Sequence, residues 1–336
     1  MKQRRRFLRV GFGRVLFGVA LTLLGWAGVL GRAGAQEEVL TPALTAFEDG
    51  LFDRCVQEVE RFRKRFPGSP LSASAALLEA KALYFLGRYR AAEELLAPVG
   101  SNRLPKAAAE EAFFWRAECL CALERWSEAI PNYRAALAGP LPASLAQRAR
   151  LALGWCLWRA GKVREAEAVW QALARGSAGG PRTHALLLLA RMALSLGRRE
   201  DAESLLAQMV REDDRMDEAF CEARFWLAEL RREEDPSRAV ALYEAVVRAG
   251  RAPQELLALA WFGLGETYEK LGETGKAMNA FERALALEKE PILRLRAGER
   301  YLQSAASLQR LPEAEKKLAE LPGRGGIPQR RGGCSL

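Results

Sequence analysis

Small and bulky apolar residues recur along this chain against a polar background with a period close to 37. Cys55, Ala92, Ala129, Ala166, Ala202, Ala239, Ala277 and Ala314 stand 37, 37, 37, 36, 37, 38 and 37 residues apart. Four residues after each comes a bulky side chain: Val59, Leu96, Tyr133, Trp170, Leu206, Tyr243, Phe281 and Leu318. Pairs at i and i+4 share one face of a helix. Upstream of five of the small residues, Gly50, Gly87, Gly161, Gly197 and Gly272 fall where a preceding helix must end and reverse, because glycine tolerates positive φ. Recurrence at fixed spacing marks an array of stacked helical units, which this pattern extends over residues 36–321.

The first helix of each unit has its own signature, a small residue followed by apolar or aromatic positions at i, i+4 and i+8. It reads Ala112-Phe113-Phe114-Trp115-Arg116-Ala117-Glu118, Ala223-Arg224-Phe225-Trp226-Leu227-Ala228-Glu229 and Ala260-Trp261-Phe262-Gly263-Leu264-Gly265-Glu266. The small residues Ala80, Ala117, Gly154, Ala190, Ala228 and Gly265 allow close approach of antiparallel helices, and the large ones fill the space between pairs. No strand-like alternation interrupts the pattern, so the expected fold is all-α, an α-solenoid of about eight antiparallel helix pairs whose end pairs act as caps. Two units depart from the turn pattern, with Glu124 and Glu234 where glycine is usual, and the sixth unit is one residue short around Asp235-Pro236. The longer links at Ser177-Ala178-Gly179-Gly180-Pro181 and Arg211-Glu212-Asp213-Asp214 are the expected hinge points.

Trp261, Leu264, Gly265, Tyr268, Ala277 and Phe281 match the pattern W-x2-L-G-x2-Y followed by A-x3-F, and through them the chain resembles the tetratricopeptide-repeat (TPR) family. The breaker Phe66-Pro67-Gly68-Ser69-Pro70 is similar to those of envelope TPR proteins, above all periplasmic ones of the Tol-Pal coordinator type and less so the outer-membrane assembly lipoproteins. The lipid-bearing cysteine of the latter and the trimerising coiled coil of the former are missing. The resemblance implies a right-handed superhelix whose first helices line a concave groove. It places Leu77, Lys81, Phe114, Glu118, Leu151, Trp155, Leu187, Arg191, Phe225, Glu229, Phe262 and Glu266 on that groove, with Tyr84 and Trp158 one turn further along the stripe. Rigid aromatics beside charges of both signs suit peptide binding. Phe225 and Phe262 fit interhelical packing equally well. Trp155 and Trp158 are the stronger groove candidates, because Leu153, Gly154 and Leu157 already supply a core face to their helix.

Charge changes this picture only after it is assigned to segments. Of 51 bases, the seven at Lys2, Arg4, Arg5, Arg6, Arg9, Arg14 and Arg32 lie in residues 1–35 with no acid, leaving 44 against 42 acids. A basic face tracking phosphates therefore has little support, and no nucleic acid is expected as a partner. The same residues read as a signal peptide: a basic start, an apolar run from Val15 to Leu30, and Ala33-Gly34-Ala35 as the cleavage site. That run is shorter than a spanning helix needs, so contact with a membrane is expected only through an uncleaved signal. A Sec signal is the simplest reading, while Arg4-Arg5-Arg6-Phe7-Leu8-Arg9 also resembles a twin-arginine signal. Residues 322–336, rich in Gly, Arg and Pro, are expected to form a disordered basic tail.

Six cysteines in an exported chain could pair, yet Cys55, Cys119, Cys156 and Cys221 occupy helical positions suited to small apolar side chains and read as buried single thiols. Cys121 points to a different helix face from Cys119, and Cys334 lies in the tail. Catalytic readings lack their residues. His184 is the one histidine and opens a helix, where it serves as a surface or capping residue. Gly275-Lys276 resembles the end of a phosphate loop, but Lys270 and Ala277 occupy the positions of the required glycine and hydroxyl residue. Arg231-Arg232-Glu233-Glu234-Asp235 reads as a solvated turn. The expected function is a non-catalytic, exported, most simply periplasmic scaffold that binds a protein or peptide in its groove, without cofactor or metal. A self-assembling adaptor and a solenoid component of an enzyme acting on cell-wall glycan are the alternatives.

Overall fold

A computed structural model describes residues 34–98, 106–176, 179–212, 217–288 and 290–320. The leader before residue 34, residues 177, 178, 213 and 214 of the two expected hinges, and the tail with Cys334 lie outside the described residues. The chain divides after Glu124 into two compact units. The first holds α1 (Gly34–Glu48), α2 (Phe52–Arg65), α3 (Ser72–Phe85), α4 (Tyr89–Leu96) and α5 (Lys106–Ala122). The second holds α6 (Trp126–Leu137), α7 (Ala143–Arg159), α8 (Val163–Gly176), α9 (Gly180–Ser195), α10 (Arg199–Glu212), α11 (Glu218–Arg231), α12 (Pro236–Ala249), α13 (Gln254–Lys270), α14 (Thr274–Leu287), α15 (Pro291–Ser307) and α16 (Leu311–Glu320). Counted along the chain, odd and even helices make eight successive pairs, whose members pack together within the first unit as α1–α2 and α3–α4 and within the second from α7–α8 to α15–α16, and no strand occurs among the described residues.

Within a pair the reversal is made by three residues, except in the sixth pair, where it takes four. Gly50, Gly87, Gly161, Gly197 and Gly272 all take positive φ, between 72° and 79°. In each turn the glycine N–H and the following N–H return to carbonyls of the last helical turn, as Gly161 does to Trp158 at 3.0 Å and Lys162 to Leu157 at 2.8 Å. These bonds satisfy carbonyls that the helix end would leave unpaired. Glu124 and Gln309 adopt the same left-handed conformation, with φ of 60° and 57°. A side chain at such φ costs about 1–2 kcal/mol, so Gln309→Gly should stabilise the last pair by about 0.5–1 kcal/mol once glycine's greater freedom in the unfolded chain is deducted. Urea denaturation monitored by circular dichroism tests this, and a loss of stability would contradict it. The turn within the sixth pair dispenses with left-handed backbone. Asp235 caps α12 by accepting from the Arg238 N–H at 3.0 Å, and Pro236 occupies the first turn, where no N–H is needed.

The small residues that set the period, from Cys55 to Ala314, are all buried. So are the bulky partners four residues on, apart from Leu318 near the end of α16, which is half-buried. The first helices contribute the complementary small surface. Trp170 lies against Gly154, Phe281 against Gly265, and Tyr243 against Gly263: a Cβ at these glycines would fall 2.3, 2.6 and 2.8 Å from the nearest ring atom. Glycine is therefore fixed at these places by close approach of a ring, at a helix-propensity cost of about 1 kcal/mol relative to alanine. Where the second helix carries leucine, as at Leu96 and Leu206, the matching first-helix residues are Ala80 and Ala190. The volumes compensate across the pair.

Candidate functional site: the stripe of the first helices

Seven of the groove candidates are more deeply placed than a binding surface requires. Phe114 is fully buried, and Leu77, Glu118, Trp155, Leu187, Phe225 and Phe262 retain 9% exposure or less. They occupy the part of each first helix that meets neighbouring helices. Phe225 packs edge-on to Tyr243 at 6.1 Å between ring centres, and Phe262 lies 5.6 Å from Phe281. The aromatic i+4 positions are thus drawn into interhelical packing, because burying a ring removes far more apolar area from water than a small groove would recover. Lys81, Tyr84, Leu151, Trp158, Arg191, Glu229 and Glu266 remain half-buried. Trp155 and Trp158, the stronger candidates, pack edge to face at 5.2 Å, and Trp158 in turn meets Trp170 at 6.0 Å. Trp158 keeps an accessible edge at the end of the stripe.

Four of the five charged candidates, Lys81, Arg191, Glu229 and Glu266, already have internal counterions. Lys81 Nζ donates to Glu111 at 2.8 Å and lies 5.8 Å from the centre of the Trp115 ring, whose Nε1–H donates to the same carboxylate oxygen at 3.1 Å. Arg191 Nε stands 3.2 Å from Glu222, which accepts from Trp226 Nε1 at 3.2 Å. The same base, carboxylate and indole constellation therefore recurs, once in each compact unit. It links a first helix to the next first helix. Its signal was present in the near-copies Glu111-x3-Trp115 and Glu222-x3-Trp226, 111 residues apart, but neither glutamate was singled out from the spacing of the groove positions.

Glu266 accepts from Arg232 at 2.5 Å and has Arg296 at 3.7 Å, while Glu229 accepts from the buried Tyr243 hydroxyl and has Arg232 at 3.8 Å. Burial and the Glu229 carboxylate both push the Tyr243 phenol well above its ordinary range, so it stays a donor. Tyr84 donates to Glu118 at 3.2 Å. Partly buried pairs of this kind order neighbouring helices, and a partner's charges would have to exchange with them.

Cys55, Cys119, Cys156 and Cys221 are buried thiols, and Cys121 is a half-buried one. Burial pushes Cys55 and Cys119 up to about 12, which leaves them protonated and unreactive. His184 directs Nδ1 at the Gly180 carbonyl, 2.8 Å away, in the first turn of α9. Among the described residues no group of three or more His, Cys, Asp or Glu side chains is arranged to hold a metal, and no helix is long and apolar enough to cross a membrane.

Two family models, both described as tetratricopeptide repeat, match the sequence. One matches residues 77–144, 120–181 and 151–217, and the other residues 258–291, together more than half of the chain. The chain belongs to the tetratricopeptide-repeat family. No protein of curated function matches it. Among solved structures, this TPR protein is similar to the C-terminal part of a TPR repeat-containing protein from Cytophaga hutchinsonii, at 17% identity and a TM-score of 0.59, covering 77% of this chain and 98% of that one. The apo quorum sensor NprR from B. thuringiensis shares 14% identity with a TM-score of 0.58, covering 88% of each chain. A TPR protein from Parabacteroides merdae shares 15% identity with a TM-score of 0.54, covering 80% of this chain and 98% of that one. At these identities the likeness is one of fold. No catalytic family is indicated, and TPR proteins in general act as non-catalytic scaffolds for protein and peptide partners.

Proposed function

We propose that this TPR protein is an exported scaffold that binds a protein or peptide along the stripe of its first helices and serves the assembly or maintenance of the cell envelope. The observation that carries the reading is the half-buried first-helix residues that each unit presents, Tyr84 in the first and Leu151 and Trp158 in the second, flanked within each unit by ion-paired charges. Such a surface offers apolar anchors beside charges that are already paired, and binding energy concentrates on anchors of this kind. Export is supported by the basic start, the apolar run from Val15 to Leu30 and Ala33-Gly34-Ala35. The breaker at Phe66–Pro70 and the resemblance to periplasmic TPR proteins support the envelope.

Affinity capture from cross-linked envelope tests the reading, with the wild-type chain beside Leu151→Lys. Leu151 lies on the first helix α7 of the second unit and is half-buried, so a lysine there should be tolerated by the fold while disrupting apolar contact. A defined partner should be captured by the wild type and reduced about tenfold or more in the variant, at unchanged melting temperature. Equal capture by both proteins, or capture of nothing, would overturn groove binding.

A further inference from the structure

The near-neutral balance of the chain beyond its first 35 residues conceals a segregation of charge. Between Ala129 and Arg199 eleven arginines and lysines stand against two carboxylates, Glu165 and Glu167. From Glu200 to Arg300 the balance reverses, with 22 acids against 15 bases. The first helices α7 and α9 contain no acid at all. Both carboxylates of the basic section are engaged within it, Glu165 with Arg134 at 2.6 Å and Glu167 with Arg198 at 3.1 Å. Arg150, Arg159, Lys162, Arg164 and Arg175 are exposed and form no ion pair with any described residue.

Comparison of equivalent turns singles out the one between α7 and α8. A base precedes the second helix of five pairs, at Arg88, Arg125, Lys162, Arg198 and Arg310. Four of them have a carboxylate partner: Asp53 at 3.0 Å, Glu128 at 2.5 Å, Glu167 at 3.1 Å and Glu313 at 2.9 Å. Lys162 has none among the described residues. It and Arg164 also lie at the N-terminus of α8, where the helix dipole disfavours cations, so the fold gains no electrostatic stability from them. Two indoles adjoin the cations. The Arg159 guanidinium stands 5.4 Å from the centre of the Trp126 ring, and Trp158, its neighbour in sequence, is half-buried.

We propose that the α7–α8 turn, with Arg159, Lys162 and Arg164 beside Trp126 and Trp158, is a docking site for an acidic protein segment. The inference rests on the peptide-binding reading above and adds the partner's chemistry and its place at the end of the stripe. Carboxylates of the segment neutralise the three cations, and its apolar side chains cover the indole edges. A long polyanion is disfavoured, because the basic section gives way at Glu200 to one rich in acid. A short acidic segment meets only the basic part.

Fluorescence anisotropy with the purified full chain tests the proposal. The probes are a fluorescein-labelled peptide of about twelve residues built from Asp, Glu, Leu and Phe, and its counterpart with Asn and Gln in place of the acids. At about 50 mM salt the acidic peptide should bind about tenfold or more tightly than the amide peptide, and the difference should shrink at about 300 mM as screening shortens the reach of charge. The triple variant Arg159→Glu, Lys162→Glu, Arg164→Glu should weaken the acidic peptide about tenfold or more, and Lys162→Glu alone about threefold. Reversal of three exposed bases on α2, Arg54→Glu, Arg61→Glu and Lys64→Glu, should change it less than about twofold.

Equal binding of the two peptides overturns the proposal, as does binding indifferent to the triple variant. Tighter binding of a single-stranded oligonucleotide or of phosphatidylglycerol vesicles, lost in the same variant, also overturns it and assigns the surface to that polyanion. If partner capture is lost in Leu151→Lys but unaffected by the triple variant, the groove reading survives and this inference fails.

Discussion

Replacing Trp170 by alanine should cost about 3–5 kcal/mol, the range for removing a large ring from a packed core. Trp170 is fully buried in α8, its indole N–H donates to the Leu151 carbonyl at 3.1 Å, and its ring fills the space left open by Gly154 on α7. Deletion removes the apolar burial, opens a cavity and leaves the α7 backbone without that hydrogen bond. It also withdraws the surface on which Trp158 packs. In an array of helix pairs stability is a sum of local and neighbour contributions, so the loss should be concentrated in α7 and α8. Hydrogen exchange should show these helices opening first, with α13 and α14 keeping their protection, and equilibrium denaturation should show a lowered or newly split transition. A loss below about 1 kcal/mol would mean that the neighbouring side chains collapse into the space, and would refute the reading of Trp170 as the ring that holds this pair together.

Gly154→Ala should also destabilise, by about 1–3 kcal/mol, although alanine is the better helix former by about 1 kcal/mol. The added methyl would stand 2.3 Å from Trp170 Nε1 and 2.6 Å from Cε2, well inside van der Waals contact. The ring cannot yield easily, being buried on all sides and tied by its indole N–H. The two changes should therefore be strongly non-additive. In a Trp170→Ala background the clash is gone, and Gly154→Ala should become neutral or stabilising. Additive effects in a double-mutant cycle would refute the close approach. Gly265, whose Cβ would meet Phe281 at 2.6 Å, should behave in the same way in α13 and α14.

The period of the small residues determined the number of helix pairs and their turns, because a stacked array repeats one local solution to the problem of burying a helix face. The five turn glycines and the eight buried small residues follow directly from that periodicity. The near-copies around Phe114, Phe225 and Phe262 also located the first helices. What they could not determine was which side of each aromatic residue would be closed by a neighbour. Phe225 and Phe262 satisfy the spacing of a groove and of a core alike, and packing against Tyr243 and Phe281 decided for the core.

Charge was divided in the same way. Its total was legible from the sequence, but the pairing of Lys81 with Glu111 and of Arg191 with Glu222 depends on residues about 30 apart meeting across adjacent first helices. Lys162 shows the converse. By residue type it is one of five equivalent bases at the turns; Arg125 and Arg310 meet a carboxylate three residues on, but only the tertiary structure gives Arg88 its Asp53 and Arg198 its Glu167 and leaves Lys162 with none among the described residues. Local sequence determines helices and turns because hydrogen bonding and backbone sterics act over a few residues. Exposure and ion pairing are set by which helices become neighbours, and that is decided only when the pairs stack.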